Sequence, residues 1–368
     1  MKYKYFFVDP MSYNNLELYD LNLLSKFNKK TLYFFGNKKI KKKIKFSHKL
    51  IYNYSDKKVF NKFFSYFISQ ITLFFFIYKK KPKLIHFQWF KIPALDFFLL
   101  FFIKFCFSKV KIVYTAHNIL PHDSGNKFRS IYYKIYNLVD AIIVHDDYSK
   151  KALSSMFKIK SDKISVIRHG LLKIPRDEDK VNLNSLKFSY LNDKIIFLFT
   201  GNISKYKGVD LLIDTWNQSV ELNTNNKIHL IIAGNDKNNL LNKINNFQNI
   251  TIINKFLSNE EFISFINLSD IILLPYLKIS QSGVLMSVLQ EEKRVLVSNI
   301  GGLIEPLRHG DVGWVLEKLN VESFKNIILK IIQDTEKTDN ISDFKEIKAH
   351  YSWSVISNKT HELYLKLI

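Results

Sequence analysis

The chain is constrained above all by a rhythm. Short runs rich in β-branched and aromatic residues alternate with longer segments of helical apolar spacing. The rhythm halts once and then restarts. In the first half YKYFFV (3–8), TLYFFG (31–36), KLIHFQ (83–88), KIVYTA (111–116), AIIVH (141–145) and KISVIR (163–168) read as strands. NNLELYDLNLLSKF (14–27), SIYYKIYNLV (130–139) and SKKALSSMF (149–157) read as helices, and KKIKKKIKF (38–46) as a basic linker or edge. Strands of this kind are buried on both faces, and their alternation with helices means a parallel sheet covered on both sides.

Near 172–192 the pattern gives way to a polar stretch containing Pro175, as expected of a linker. It resumes with strands at 194–201, 227–234, 249–256, 270–276, 294–299 and 313–317. Helices are expected at 207–220, 236–246, 258–267, 282–292 and 321–335. The length of 368 residues suits two domains. The expectation is α/β: two Rossmann-like, doubly wound domains facing a cleft, at 1–175 and 176–350, with a helix at 351–368 crossing back to the first. Ligands of open parallel sheets bind outside the carboxyl ends of the strands, so residues just after each strand carry the functional interest.

Charge is unevenly placed. Residues 1–180 hold 35 Lys and Arg against 13 Asp and Glu, whereas the remainder holds 20 of each, so the net charge of +22 lies entirely in the first part. Such asymmetry points to a polyanionic partner, nucleic acid or an anionic membrane surface, or else reflects a lysine-rich composition alone. The start MKYKYFFVDP lacks the features of a signal peptide. Two Phe-rich segments, 63–78 and 93–107, fall short of the ~20 apolar residues of a membrane span. Their flanking lysines suit helices that pack on a sheet or lie at a lipid interface. The single cysteine, Cys106, excludes an internal disulfide, and its apolar surroundings mark it as a small core residue.

Several strand ends carry candidate chemistry. TGNISKYKGVD (200–210) places Gly201, Asn202, Lys205, Lys207 and Gly208 between a strand and a helix. The helix start offers free N–H groups to an anion, and the lysines can reach it. The Walker pattern is absent. ISQSGVLM (279–286) places Ser280, Ser282, Gly283 and Val284 at another helix start, where Ser282 serves equally as an N-cap. In SNIGGLIEP (298–306) Glu305 can accept from sugar hydroxyls or favour the next helix start. In the first half His117 (YTAHNILPHD, 114–123), HFQW (86–89) and VHDD (144–147) are strand ends, and Asp146 and Asp147 suit a helix cap. No spacing matches a metal site or a nucleophile elbow.

Taken in order, HFQWF, YTAHNILPH, AIIVHDDYSKK, KISVIRHG, FTGNISKYKGVDLLID, IILLPY with QSGVLM, VLVSNIGGLIE and HYSW resemble the retaining GT-B enzymes of glycosyltransferase family four, over nearly the whole chain. The resemblance implies transfer of a sugar from a nucleotide-diphosphate sugar, with the donor on the second domain, the acceptor on the first, and no metal or other cofactor. It matches Lys207 to the phosphate-binding lysine and His117 to the histidine that meets the transferred sugar. It matches Ser282, Gly283 and Val284 to the loop at the sugar and phosphate. The family's arginine falls at Asn202, where Lys205 or Arg168 can substitute. His86, Trp89 and His122 are the expected acceptor contacts.

Three departures stand out. The usual Glu-x7-Glu pair falls near Ile279 and Ser287, as in a branch with QSG in this loop. Glu292 and Arg294 replace the usual Gly and Pro. DPMSYNN replaces the Gly-rich loop after the first strand. The implied function is hexosyl transfer to a glycan or polyprenyl-diphosphate-linked acceptor in bacterial surface polysaccharide assembly, such as lipopolysaccharide O-antigen. The implied place is the inner face of the cytoplasmic membrane. The alternatives are a non-catalytic GT-B partner subunit and a basic nucleic-acid-binding protein. The basic runs lack the reader motif the last of these needs.

Overall fold

In β1 (Tyr5–Val8) all four side chains are buried, Phe6 and Val8 on one face of the sheet, Tyr5 and Phe7 on the other. A strand apolar on both faces needs cover on both, and this one decides the architecture around it. In the computed structural model the described residues are 3–53, 59–120, 127–176, 188–191, 193–279, 281–337 and 344–368. They form two units, Met1–Gly170 with Tyr351–Ile368, and Leu171–His350.

The first unit runs β1, α1 (Glu17–Leu24), β2 (Leu32–Asn37), β3 (His48–Tyr52), α2 (Val59–Lys80), β4 (Leu84–Phe87), α3 (Pro93–Cys106), β5 (Lys111–Thr115), α4 (Arg129–Leu138), β6 (Ala141–Val144), α5 (Asp147–Phe157) and β7 (Ile164–Val166). Its strands pair in parallel in the order β3-β2-β1-β4-β5-β6-β7. The second unit runs β8 (Ile195–Thr200), α6 (Val209–Gln218), α7 (Val220–Asn223), β9 (Ile228–Gly234), β10 (Ile250–Asn254), α8 (Asn259–Leu268), β11 (Ile271–Leu274), α9 (Gly283–Gln290), β12 (Arg294–Ser298), β13 (Gly313–Leu316), α10 (Val321–Lys337) and α11 (Lys345–His350). Its parallel order is β10-β9-β8-β11-β12-β13. Each order reverses at one point, between β1 and β4 and between β8 and β11. The crevices for ligands open there, at the strands' carboxyl ends.

The last helix, α12 (Trp353–Leu367), belongs to the first unit. Its Ile356 and Tyr364 join Tyr19, Leu23 and Leu24 of α1 over Tyr5, Phe7, Phe34 and Val113 of the sheet. Ser352 caps it through a bond from Val355 N. Burying two such side chains contributes about 1.5–3 kcal/mol each.

Three expectations need correction. A strand that was not expected follows the basic run: β3 starts at His48 and pairs with β2, and its first two residues are exposed. An edge strand half in water carries little apolar signal. The helix expected at 236–246 is only a 3-10 turn at Leu240–Lys243. There the Asp236 carboxylate accepts from Asn238 N and Leu241 N, and Asn239 takes a φ of 54°, so local side-chain bonds replace the helix. Cys106 is exposed, not buried, because it ends α3 on the outward face.

Both Phe-rich helices are two-faced. On α2, Tyr66, Ser69, Gln70, Leu73 and Ile77 are buried, while Phe63, Phe64, Phe67, Ile68, Ile71 and Phe75 are exposed. On α3, Leu99, Leu100 and Ile103 are buried and Phe98, Phe101, Phe102 and Phe105 are exposed. No helix among the described residues is long and apolar enough to cross a membrane. The two helices are joined through Asp96, which is 1% exposed and accepts from the Tyr66 hydroxyl, Gln70 Nε2 (2.7 Å) and Ile92 N (3.0 Å). Burial pushes its carboxyl up to about 8. Asp96→Ala leaves buried donors unpaired, so the first unit should lose about 1–3 kcal/mol. Urea unfolding followed by tryptophan fluorescence measures it.

Candidate functional site

The second unit's switch point lies between the ends of β8 and β11. After Thr200 the backbone turns at Gly201 (φ 103°), and Gly208 (φ 75°) opens α6 as its N-cap. A Cβ at Gly208 would stand 1.8 Å from the Pro275 carbonyl oxygen, so only glycine lets the turn sit against the end of β11. The 3-10 turn Lys205–Lys207 between them folds Lys207 inward. Its Nζ lies where a side chain at Gly201 would begin, 2.9 Å from that position, and 5.5 Å from the centre of the Tyr276 ring. Lys207 is 7% exposed, and burial lowers it to about 8.

A buried cation without a counter-charge is costly. No carboxylate pairs with Lys207 among the described residues, and the buried hydroxyls of Thr200 and Ser204 also lack partners. The aromatic face of Tyr276 offsets part of the charge. A polyanionic ligand would complete the rest.

The same crevice receives the start of α9. Ser282 caps it, its hydroxyl accepting from Leu285 N at 3.1 Å. Val284 Cγ2 lies 3.5 Å from the position a Gly201 side chain would take, so Gly201, Lys207 and Val284 come together. Gly283 is exposed, with room for a side chain, so its free N–H matters more than its size. Asn202 and Lys205 are exposed and outside this cluster. Glu305 is 8% exposed and precedes a 3-10 turn (Pro306–Arg308) that its side chain does not cap. At the positions of the expected acids, Ser287 bonds the Gly283 carbonyl within its helix at 2.9 Å, and Ile279 offers no polar group. Ser280 lies outside the described residues.

In the first unit the strand ends gather histidines. The His117 ring stacks on Trp89, with centroids 4.5 Å apart and planes at 9°. Its Nε2 lies 2.8 Å from Gln88 Oε1 and its Nδ1 3.1 Å from His145 Nε2. His145 Nδ1 donates to the Ile167 carbonyl at 2.8 Å. Tyr19 stands against His117, His145 and His169. Burial holds His145 at about 4 and His117 well below the usual range, so both rings are neutral at pH 7. Asp9, Glu17 and Asp20 fill the end of β1, all at least 97% buried. Asp9 and Asp20 share a hydrogen bond, and burial raises both, Asp9 to about 6. This acid pocket stands where the Gly-rich loop is missing.

His86 requires a correction as an acceptor contact. It is 0% exposed, bonded to the Tyr364 hydroxyl on α12 and to Thr115 Oγ1 (2.7 Å), because its position within β4 points it into the packed face. His122 lies outside the described residues. Asp146 caps α5 as expected, accepting from Ser149 N at 2.7 Å. Arg168 lies in the first unit, 3.6 Å from Asp147. Reading residues one by one missed Gln88 and His145, although both stand in the strand-end strings HFQW and VHDD. No group of three His, Cys, Asp or Glu among the described residues is placed to hold a metal ion.

Comparison with known proteins bears on the fold and on the family of each unit. The family model "Glycosyl transferases group 1" matches residues 185–346, and "Glycosyltransferase Family 4" matches 45–171. The capsular polysaccharide biosynthesis glycosyltransferase CapM of Staphylococcus aureus is 24% identical over 268 residues, 68% of this chain and 69% of that protein. An uncharacterized glycosyltransferase of Methanocaldococcus jannaschii is 24% identical over 227 residues, and the chain spans only 57% of its length. Among solved structures, sucrose-phosphate synthase of Thermosynechococcus elongatus superposes with a TM-score of 0.72 at 14% identity, covering 100% of this chain and 99% of that one. Anabaena HepE, solved with UDP and glucose, superposes with a TM-score of 0.72 at 15% identity, covering 98% and 99%. These likenesses give the fold, GT-B. With one family model on each unit, the chain carries two glycosyltransferase-family domains, a group 1 domain in its second unit and a family 4 domain in its first.

Proposed function

We propose that the chain is a retaining, nucleotide-sugar-dependent glycosyltransferase that lengthens a lipid-linked glycan at an anionic membrane surface, in bacterial surface polysaccharide assembly. The observation that carries the donor half is Lys207, a buried cation at a helix start with no carboxylate paired to it among the described residues. HepE, a structural neighbour, was solved with UDP-glucose, which supports a uridine diphosphate sugar as the first donor to test. CapM, a relative in capsular polysaccharide synthesis, supports the pathway class.

In this reading the bond from the anomeric carbon to the diphosphate breaks as the acceptor oxygen bonds that carbon on the same face. Negative charge grows on the departing diphosphate. Lys207 and the free N–H groups at the start of α9 are preorganised to stabilise it. The acceptor's proton passes to the departing phosphate oxygen, so no separate base is required. Arginine is absent at Asn202, which leaves Lys207 as the main charge and Lys205 as a mobile second.

The membrane half rests on α2 and α3. Their outward Phe residues are exposed large apolar side chains, and Lys79 and Lys80 end α2. Aromatic rings at the headgroup level with lysines facing anionic lipid satisfy both groups.

Two tests follow. Lys207→Met should lower sugar transfer or donor hydrolysis by about 10²–10³ with the fold intact. UDP affinity, measured by calorimetry, should weaken as pH rises past about 8, by up to about tenfold per unit, because the protein must then take up a proton at Lys207 to bind. The Lys207→Met variant should lack that slope, and equal slopes in the two proteins would remove Lys207 from the phosphate site. Binding of UDP without turnover on any acceptor would favour a non-catalytic subunit. In the second test, the protein should sediment with phosphatidylglycerol vesicles at low salt but not with phosphatidylcholine vesicles. Phe101→Ser with Phe105→Ser should reduce that binding at least about tenfold, since each Phe buried is worth about 1.5–3 kcal/mol.

A further inference from the structure

The amino ends of the first three strands meet at an open pocket of about 760 Å³, at the opposite end of the sheet from the histidines. Tyr3 reaches it just before β1, Lys29 and Lys30 just before β2, and Lys45 and Ser47 just before β3, with Tyr33 in β2 among them. The volume is that of an ordinary small-ligand site, but this lining is cationic rather than apolar. Nothing nearby in the sequence offsets the charge, since residues 21–55 hold ten lysines and no Asp or Glu. None of the three lysines is paired with a carboxylate among the described residues. Ammonium groups gathered around one cavity repel one another, and an anion placed among them removes that cost.

Hydroxyl donors complete the lining. Tyr3 donates to Ser47 Oγ at 3.2 Å, so the serine's own proton is left to donate elsewhere. Lysines acting as point charges together with hydroxyl donors suit an oxyanion with several acceptor oxygens, which describes a phosphate ester better than a carboxylate. The aromatic rings are engaged elsewhere. Tyr33 packs against Tyr3, Phe6, Phe35 and Phe76, and Tyr3 carries the Lys80 ammonium over its ring. They offer no platform on which nucleic-acid bases would stack.

We propose that this pocket binds a phosphate ester, as a site separate from the crevices at the carboxyl ends of the strands. The phosphate of an anionic lipid headgroup and that of a small soluble ester share this chemistry. The neighbourhood favours the headgroup. Lys80 Nζ, at the end of α2, lies 5.8 Å from the centre of the Tyr3 ring, and Phe76 packs on Tyr33 with centroids 6.0 Å apart. The pocket therefore adjoins the helix whose outward Phe residues meet the membrane in the reading above. The choice of source rests on that reading; the pocket's chemistry does not.

The test is an NMR titration of the full chain labelled with 15N-tyrosine, with the Tyr3 and Tyr33 amide signals assigned by single Tyr→Phe variants. The probes are glycerol phosphate and the water-soluble, short-chain dibutyroyl-phosphatidylglycerol, at constant ionic strength. Both signals should shift saturably with at least one probe. Lys30→Gln with Lys45→Gln should weaken that binding by roughly 25-fold, about fivefold for each lysine. Both side chains are exposed, so the fold is kept. If the headgroup is the ligand, the same pair should also weaken sedimentation with phosphatidylglycerol vesicles; if a soluble ester is, sedimentation stays unchanged. Absence of a shift with either probe, equal shifts with sodium chloride or sodium acetate, or an affinity unmoved in the double variant would overturn the proposal. So would a DNA oligonucleotide that displaces both probes at far lower concentration, which would make the pocket part of a nucleic-acid surface. Vesicles that fail to bind the unaltered protein would remove the membrane reading, while the soluble titration still decides the pocket.

Discussion

A parallel sheet buried on both faces has no place for a charge within it, and the layout of this protein follows from that. The central strands are largely apolar, so side chains able to do chemistry collect where strands end. In the second unit that rule delivers Lys207 and the start of α9 to one crevice. In the first it delivers Trp89, Gln88, His117, His145 and the acids around Asp9. The two crevices differ in character. One presents a buried lysine with no carboxylate paired to it among the described residues, whereas the other gathers buried histidines bonded to neighbouring polar groups.

Much of the fold was legible because burial on both faces writes itself into a strand as an unbroken apolar run. Strands such as AIIV (141–144) and IILL (271–274) could hardly be anything else. Legibility failed where local bonding or partial exposure won. β3 is half in water and shows no such run. The Asn-rich segment after Gly234 has helical spacing, but Asp236 captures the backbone N–H groups a helix would need. Cys106 was misjudged because a Phe-rich stretch suggests a core, and here half of that stretch faces outward.

The site was legible in part for the same reason. Lys207 and His117 could be named because a lysine between two glycines and a histidine after a strand are local signals. The inward fold of Lys207 depends on how Gly201 and Tyr276 are placed, which no local pattern reports. His86 misled because strand-end position was read as exposure, although the residue lies one turn of the pleat inside the sheet. His145 and Gln88 escaped because each seemed ordinary alone, and their meaning lies in partners about 28 residues away on neighbouring strands.

The placement of α12 reaches beyond packing. The first unit is discontinuous in the chain, since its last helix is made after the whole of the second unit. During synthesis Tyr5, Phe7 and His86 wait uncovered until α12 has left the ribosome. A domain whose last helix is made after a whole second unit packs fully only once that helix is available, so a chain cut before α12 is left with an open apolar face.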